Sequence, residues 1–240
     1  MFWRGRKMKK ILTEAFSVNL IIAFMLFALG AYSLKNVKSI STFADNGAIY
    51  KADTEEKKVA LMINVYENGD IVEEYLEIFE KENVKATFFI GGSWAAKNKE
   101  TVKKIHDKGH TLGNHGYNHK MHTRLDEKGN IDEISRTNAL IKEITGEKCT
   151  LFAPPSGDVN GSVVACAEKC GCKTVMWSCD TIDWRDSDRE KVFSRIKRNL
   201  KPGALILMHP KQVTLDLMEE IVSYIKNEGY SFETVDNLIK

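Results

Sequence analysis

Two histidines four residues apart, His115 and His119, stand in the stretch GNHGYNH. Two imidazoles at this spacing can meet one metal ion where the segment is helical or tightly turned. The plain alternative is a pair of solvated loop side chains. His122 lies close enough in sequence to compete for either role. A second grouping joins Asp183, in CDTIDW, to His209, in LILMHP. Each of these two follows a short apolar run, so each sits where a buried strand would end. A carboxylate that holds one ring nitrogen of an imidazole fixes its tautomer and suits it to general acid work near neutral pH.

Five cysteines, Cys149, Cys166, Cys170, Cys172 and Cys179, fall within one short part of the chain. An odd count cannot pair completely within one molecule. The spacing Cys166-x-x-x-Cys170-x-Cys172 matches no common zinc pattern. These residues therefore read as small core thiols, with one disulfide left open.

The elements that must position these groups alternate regularly. Apolar runs at 59–64 (VALMIN), 85–90 (KATFFI), 111–114, 150–152, 172–177, 204–208 and 231–234 read as strands. Between them, residues 72–81, 101–108, 131–144, 162–169, 189–199 and 215–227 carry apolar side chains at helical spacing or end at Gly109, Gly146 and Gly171. Such alternation implies a parallel sheet covered by helices. About seven units at this pitch predict an α/β fold, a distorted barrel of seven or eight β/α units, rather than an open doubly wound sheet. Active sites of such barrels lie at the C-terminal ends of the strands. His115, Asp183 and His209 all fall there. No glycine-rich nucleotide motif follows any strand.

The N-terminal part has a different character. Five basic residues occupy the first ten positions, and residues 15–34 form a run of 20 without a charge. At about 1.5 Å per residue that run matches a hydrocarbon core of roughly 30 Å. The expected organisation is a basic start and transmembrane anchor or signal segment over 1–34, a polar linker over 35–56, and a domain over 57–240. Basic residues stay on the cytoplasmic side, so the domain is expected outside the cell membrane on a single-pass anchor, or secreted if the segment is cleaved. Residues 50–240 carry 28 Lys/Arg against 31 Asp/Glu, a net −3, which argues against nucleic acid as a partner.

In this order the blocks VALMIN, KATFFIGG, GHTLGNHGYNH, LFAPPSG, MWSCDTIDW and PGALILMH resemble those of the polysaccharide deacetylases, metal-dependent enzymes that remove acetyl groups from glycans. The resemblance spans roughly residues 57–238. It implies a zinc-like divalent ion on His115 and His119, and His209 as general acid oriented by Asp183. It also implies a substrate site in which the Pro154–Gly157 loop, with Pro155 and Ser156, offers a backbone N–H to an oxyanion. Trp184, Leu205 and Leu207 would then wall the acetyl methyl. The implied partner is a cell-wall glycan such as peptidoglycan, and the implied reaction is hydrolysis of a non-peptide C–N bond.

Four positions depart from the family pattern. Where the family carries two adjacent aspartates, the base and then a metal ligand, this chain has Asn64 and Val65. Where the family carries an arginine that holds the base, it has Ala153. Gly116 replaces the usual serine or threonine between the two histidines. An amide cannot take a proton from water, and valine binds no metal. Glu67, Asp70 and Asp180 are the carboxylates near enough in sequence to substitute. Two readings remain: a deacetylase with an impaired base and metal site, and an inactive glycan-binding or scaffolding domain of the same fold.

Overall fold

A computed structural model describes residues 46–240 and the single position Met25. The first long strand shows how the sequence builds the layers. In β1 (Lys58–Val65), side chains alternate between two faces. Val59, Leu61, Ile63 and Val65 join the large cluster under the helices, while Ala60 and Met62 join a smaller inner cluster. The next inward position is Asn64. The same alternation runs through β7 (Leu205–Met208): Ile206 and Met208 face the helices, and Leu205 belongs to the inner cluster.

The remaining strands are β2 (Thr87–Ile90), β3 (Thr111–Asn114), β4 (Leu151–Phe152), β5 (Lys173–Thr174), β6 (Cys179–Asp180) and β8 (Ser231–Phe232). They form one parallel sheet in the order β5-β4-β3-β2-β1-β7-β6, with β8 also paired to β1. The result is an α/β half-barrel, in line with the expected distorted barrel. Helices α1 (Gly69–Lys81), α2 (Gly92–Ala95), α3 (Lys99–Asp107), α4 (Glu127–Thr145), α5 (Gly161–Lys169), α6 (Arg189–Asn199), α7 (Gln212–Leu215), α8 (Met218–Asn227) and α9 (Val235–Leu238) complete the described residues. Of the run expected as one strand over 172–177, only Lys173–Thr174 is a named strand, β5; Val175 follows it with a bridge to Ile49, and β6 lies beyond the run.

The chain joins the sheet before β1. Ile49 N donates to Thr174 O at 2.9 Å and Ile49 O accepts from Met176 N at 2.7 Å, while Ala52 N donates to Gly203 O at 3.0 Å. Ala52 is buried. Gly203 has φ +76, and a side chain there would run into the Ala52 carbonyl. Residues 49–52, read from the sequence as the end of a linker, thus pair with both the β5 side and the β7 side. No helix among the described residues is long and apolar enough to cross a membrane. The uncharged run 15–34 lies outside the described residues apart from Met25.

Candidate functional site

A pocket of about 220 Å³ opens at the C-terminal ends of the strands, lined by Asn64, Tyr66, His115, His119, Ser156, Gly157, Trp177, Asp180, Trp184, Leu207 and His209. It unites residues from the ends of six strands, β1 and β3 to β7. Of the substrate-binding residues expected from the sequence, Ser156, Trp184 and Leu207 line it. Pro155 does not: it is buried, and its ring faces Gly116. Tyr66 and Trp177 were missed. Their signal was available, because Tyr66 lies just past one strand run and Trp177 closes another.

His115 follows β3 and is buried. Its Nδ1 lies 2.7 Å from the Ala153 carbonyl. A carbonyl only accepts, so Nδ1 carries the proton and Nε2 is the bare nitrogen. Burial, reinforced by the neighbouring His119, pushes the His115 pKa down to about 3. Burial also lowers that of His119. The two rings are 5.1 Å apart between centroids, and Tyr66 stacks on His119 at 4.2 Å.

The turn that brings the histidines together is held from α4. Asn114 Oδ1 accepts from Gly116 N at 2.7 Å, and its Nδ2 donates to Ile134 O at 2.8 Å. Glu133, almost fully buried, accepts from Tyr117 N at 2.9 Å and Asn118 N at 2.7 Å, from the Asn118 amide at 2.9 Å, and pairs with Lys120 at 3.3 Å. Burial works to raise the Glu133 pKa, but the bonds from Asn118 and Lys120 outweigh it and hold the carboxyl below its ordinary value. Gly116 (φ +68) and His119 (φ +55) take the left-handed conformation this turn needs. His122 points elsewhere: its Nδ1 meets Asn130 Oδ1 at 2.6 Å, its ring packs on Phe152, and its Nε2 is buried without a partner beside Gly116.

Across the pocket, Asp183 and His209 form a tight pair. Asp183 Oδ1 accepts from His209 Nδ1 at 2.8 Å, and its Oδ2 accepts from His209 N and from Thr214 Oγ1, both at 2.7 Å. Tyr75 adds a bond from its hydroxyl to His209 O at 2.9 Å. The carboxylate is thus saturated, and the imidazole is held with Nε2 as its free nitrogen. Three residues upstream of Asp183, the Asp180 carboxylate accepts from Ile182 N at 2.7 Å and lines the pocket.

Three of the departures, Asn64, Val65 and Ala153, have distinct surroundings. Asn64 is 3 % exposed, lines the pocket, and its Oδ1 has no partner. Val65 lies in the helix-side cluster and does not reach the pocket. Ala153 packs in the inner cluster with Met62 and Phe89, so apolar side chains fill the space an arginine would need.

The family described as Polysaccharide deacetylase matches residues 51–175. The chain belongs to the polysaccharide deacetylase family. It is 38% identical over 191 residues to YlxY of Bacillus subtilis, an uncharacterized protein, covering 80% of this chain and 60% of that one. It is 28% identical over 198 residues to the peptidoglycan-N-acetylmuramic acid deacetylase PdaA of the same species, covering 80% and 75%. A CE4 family pseudoenzyme from Bacillus anthracis superposes with a TM-score of 0.79 at 34% identity, over 82% of this chain and 70% of that one. A mutant of that pseudoenzyme with restored enzymatic activity superposes equally well, at 32% identity over 82% and 72%.

Polysaccharide deacetylases are in general metal-dependent, so the donor set decides what this member can hold. His115 and His119 offer two neutral nitrogens with no carboxylate between them. Among the described residues no three His, Cys, Asp or Glu side chains stand close enough to hold a metal ion. The residues present do not fit the zinc site that the family pattern implies. The substitutes expected from the sequence do not complete it. Glu67 is paired with Lys211, and Asp70 is exposed in the first turn of α1. The five cysteines are free thiols, four of them buried, as a core role requires.

Proposed function

We propose that this chain is a catalytically silent deacetylase-fold protein that holds a cell-wall glycan, peptidoglycan, without hydrolysing its acetamido bonds. One observation carries the proposal: the position of the base is a carboxamide, and its neighbour, which should be a ligand, is a valine packed under the helices. What survives is recognition. Trp184, half exposed at the rim, and Tyr66 and Trp177 deeper in offer aromatic faces to sugar rings. Leu207 offers an apolar wall, and His209 Nε2 a hydrogen-bonding nitrogen for a sugar hydroxyl or amide.

The intact Asp183–His209 pair supports a second reading, residual hydrolysis with Asp180 as a replacement carboxylate. The two are separated by incubating the protein with acetylated chitooligosaccharides and with peptidoglycan, with added zinc or with chelator. Silence predicts glycan binding, no acetate above a protein-free control, and no effect of chelator. Acetate release that disappears in His209→Ala would establish the second reading instead.

We also propose that residues 1–34 anchor the domain outside the membrane, or direct its secretion if cleaved. The basic start and the uncharged run support this. A reporter fused after residue 240 should be active only in an exported form.

A further inference from the structure

A pair of thiols at the opposite end of the sheet takes no part in the glycan pocket. Cys149 stands two residues before β4 and Cys172 one residue before β5, on strands that pair with each other. The two side chains are hydrogen-bonded to each other, and Cys172 Sγ also lies 3.6 Å from Cys149 O. Neighbouring strands run about 4.8 Å apart, inside the Cα separation of roughly 4.4–6.8 Å that a disulfide spans. Both residues are buried, but Cys149 lines a surface depression of about 380 Å³. Cys170 Sγ instead meets Ser135 Oγ at 3.4 Å, and Cys179 Sγ donates to Arg195 O at 3.7 Å. The bond from Cys149, joined by one from Asn138, outweighs burial and holds the Cys172 thiol below its ordinary pKa. The thiolate is the nucleophile of disulfide exchange, so Cys172 is the readier of the two to close the pair.

We propose that Cys149 and Cys172 are a redox site: they close to a disulfide by exchange with a small-molecule disulfide, and closure loosens the turn that carries His115 and His119. Cys149, reached from the depression, attacks one sulfur of the incoming disulfide. The S–S bond of that molecule breaks, and one thiol leaves with the Cys149 proton. The Cys172 thiolate then attacks the Cys149 sulfur, the mixed disulfide breaks, and a second thiol leaves with the proton Cys172 gave up. Two electrons pass from the protein sulfurs to the small disulfide, and excess small thiol runs the sequence backwards. The route to the turn is a chain of side-chain amides. Asn138 Nδ2 donates to Cys172 Sγ at 3.3 Å, Asn138 Oδ1 accepts from Asn114 Nδ2 at 2.6 Å, and Asn114 Oδ1 accepts from Gly116 N at 2.7 Å. A disulfide sulfur carries neither proton nor charge and is drawn toward its partner. Asn138 then loses its bond to Cys172, and Asn114 loses a fixed neighbour.

Full-length protein held in oxidised or reduced glutathione until its thiol count is constant tests this. In the oxidised solution the thiols labelled after denaturation should fall from five to three, with no glutathione mass added, and in the reduced solution they should return to five. Cys149→Ser and Cys172→Ser should each abolish that loss of a pair, whereas Cys170→Ser should keep it. Hydrogen exchange over residues 114–119, followed by mass spectrometry, should become roughly fivefold faster or more on oxidation. Asn138→Leu should show the faster exchange in both states while its disulfide still forms. No internal disulfide in the oxidised protein, or one that survives both serine variants, would overturn the redox site. A disulfide that forms with exchange over 114–119 unchanged would overturn the link to the turn.

Discussion

Asn64 differs from aspartate by an NH₂ in place of an oxygen, and that exchange removes a base and a negative charge together. The surroundings have adjusted to the neutral side chain: Ala153, Met62 and Phe89 form an apolar inner cluster where a charge partner would have to lie. Asn64→Asp should therefore destabilise the domain, by roughly 2–4 kcal/mol, because a carboxylate is buried without a cation. Adding Ala153→Arg to that variant should recover part of the loss, although each change alone is unfavourable. Urea denaturation of the two single variants and the double variant gives the coupling, and simple additivity would refute it. Neither form should release acetate, since Val65 still offers no ligand. On the other side of the pocket, Asp183 accepts three bonds. Asp183→Ala leaves those donors stranded and should cost about 3 kcal/mol or more, whereas Thr214→Val removes a single donor and should cost about 1 kcal/mol. Equal losses in the two variants would mean that the carboxylate is not the hub the distances indicate.

At the level of elements, the site depends on how α4 grips the turn after β3. Asp126 caps α4 by accepting from Gly129 N at 2.7 Å, which fixes the helix start about two turns ahead of Glu133. Glu133 then takes two successive backbone N–H groups of the turn. Glu133→Gln keeps the shape but trades the charged acceptor for an amide and removes the ion pair with Lys120. It should cost about 1–2 kcal/mol and weaken glycan binding several-fold by loosening His119. Calorimetric titration with acetylated chitooligosaccharides and urea denaturation together check this; unchanged affinity would show that the turn holds its form without the carboxylate. Glu133 escaped the sequence reading because a glutamate inside an amphipathic helix looks like any solvated face. Its role appears only once the loop 16 residues upstream folds back on it. The long apolar runs, the helix-stop glycines and the paired histidines were readable because period and spacing are local properties, and the Asp183–His209 pair because both residues follow strand runs. The short elements were not: β6 and α2 hold two and four residues, too few for a period to register. Pairing of Ile49 with Val175 is likewise a long-range contact without a local signature.

For the whole molecule, the buried histidines make stability depend on acid in a definite direction. His110, 5 % exposed, packs against Phe79 and Phe88, and its Nδ1 accepts from Ala86 N at 3.1 Å. Burial, with the positive charges of Lys85 and Lys108 adding to it, lowers its pKa from 6.5 to about 4. His106, Glu147, Lys148, Cys149 and Asp236 line the same surface depression and are the other ionisable groups facing it there. The unfolded chain takes up the proton near pH 6.5, but the folded domain resists until about pH 4. Between those values the unfolded state binds more protons, so folding stability falls as pH drops through this window. Above pH 6.5 the contribution of His110 is fully present; by pH 4 a loss on the order of 3 kcal/mol is expected from this residue. His115, held down to about 3 by its own burial, extends the same trend to lower pH. His110→Asn can preserve an acceptor for Ala86 N without a titrating group. Its stability, measured by urea denaturation at pH 7, 5.5 and 4, should decline less steeply than that of the parent by about that amount, while His115 contributes equally to both curves. Parallel curves would mean that His110 admits its proton without opening the interface between Phe79 and Phe88, and that the acid sensitivity of the domain arises elsewhere.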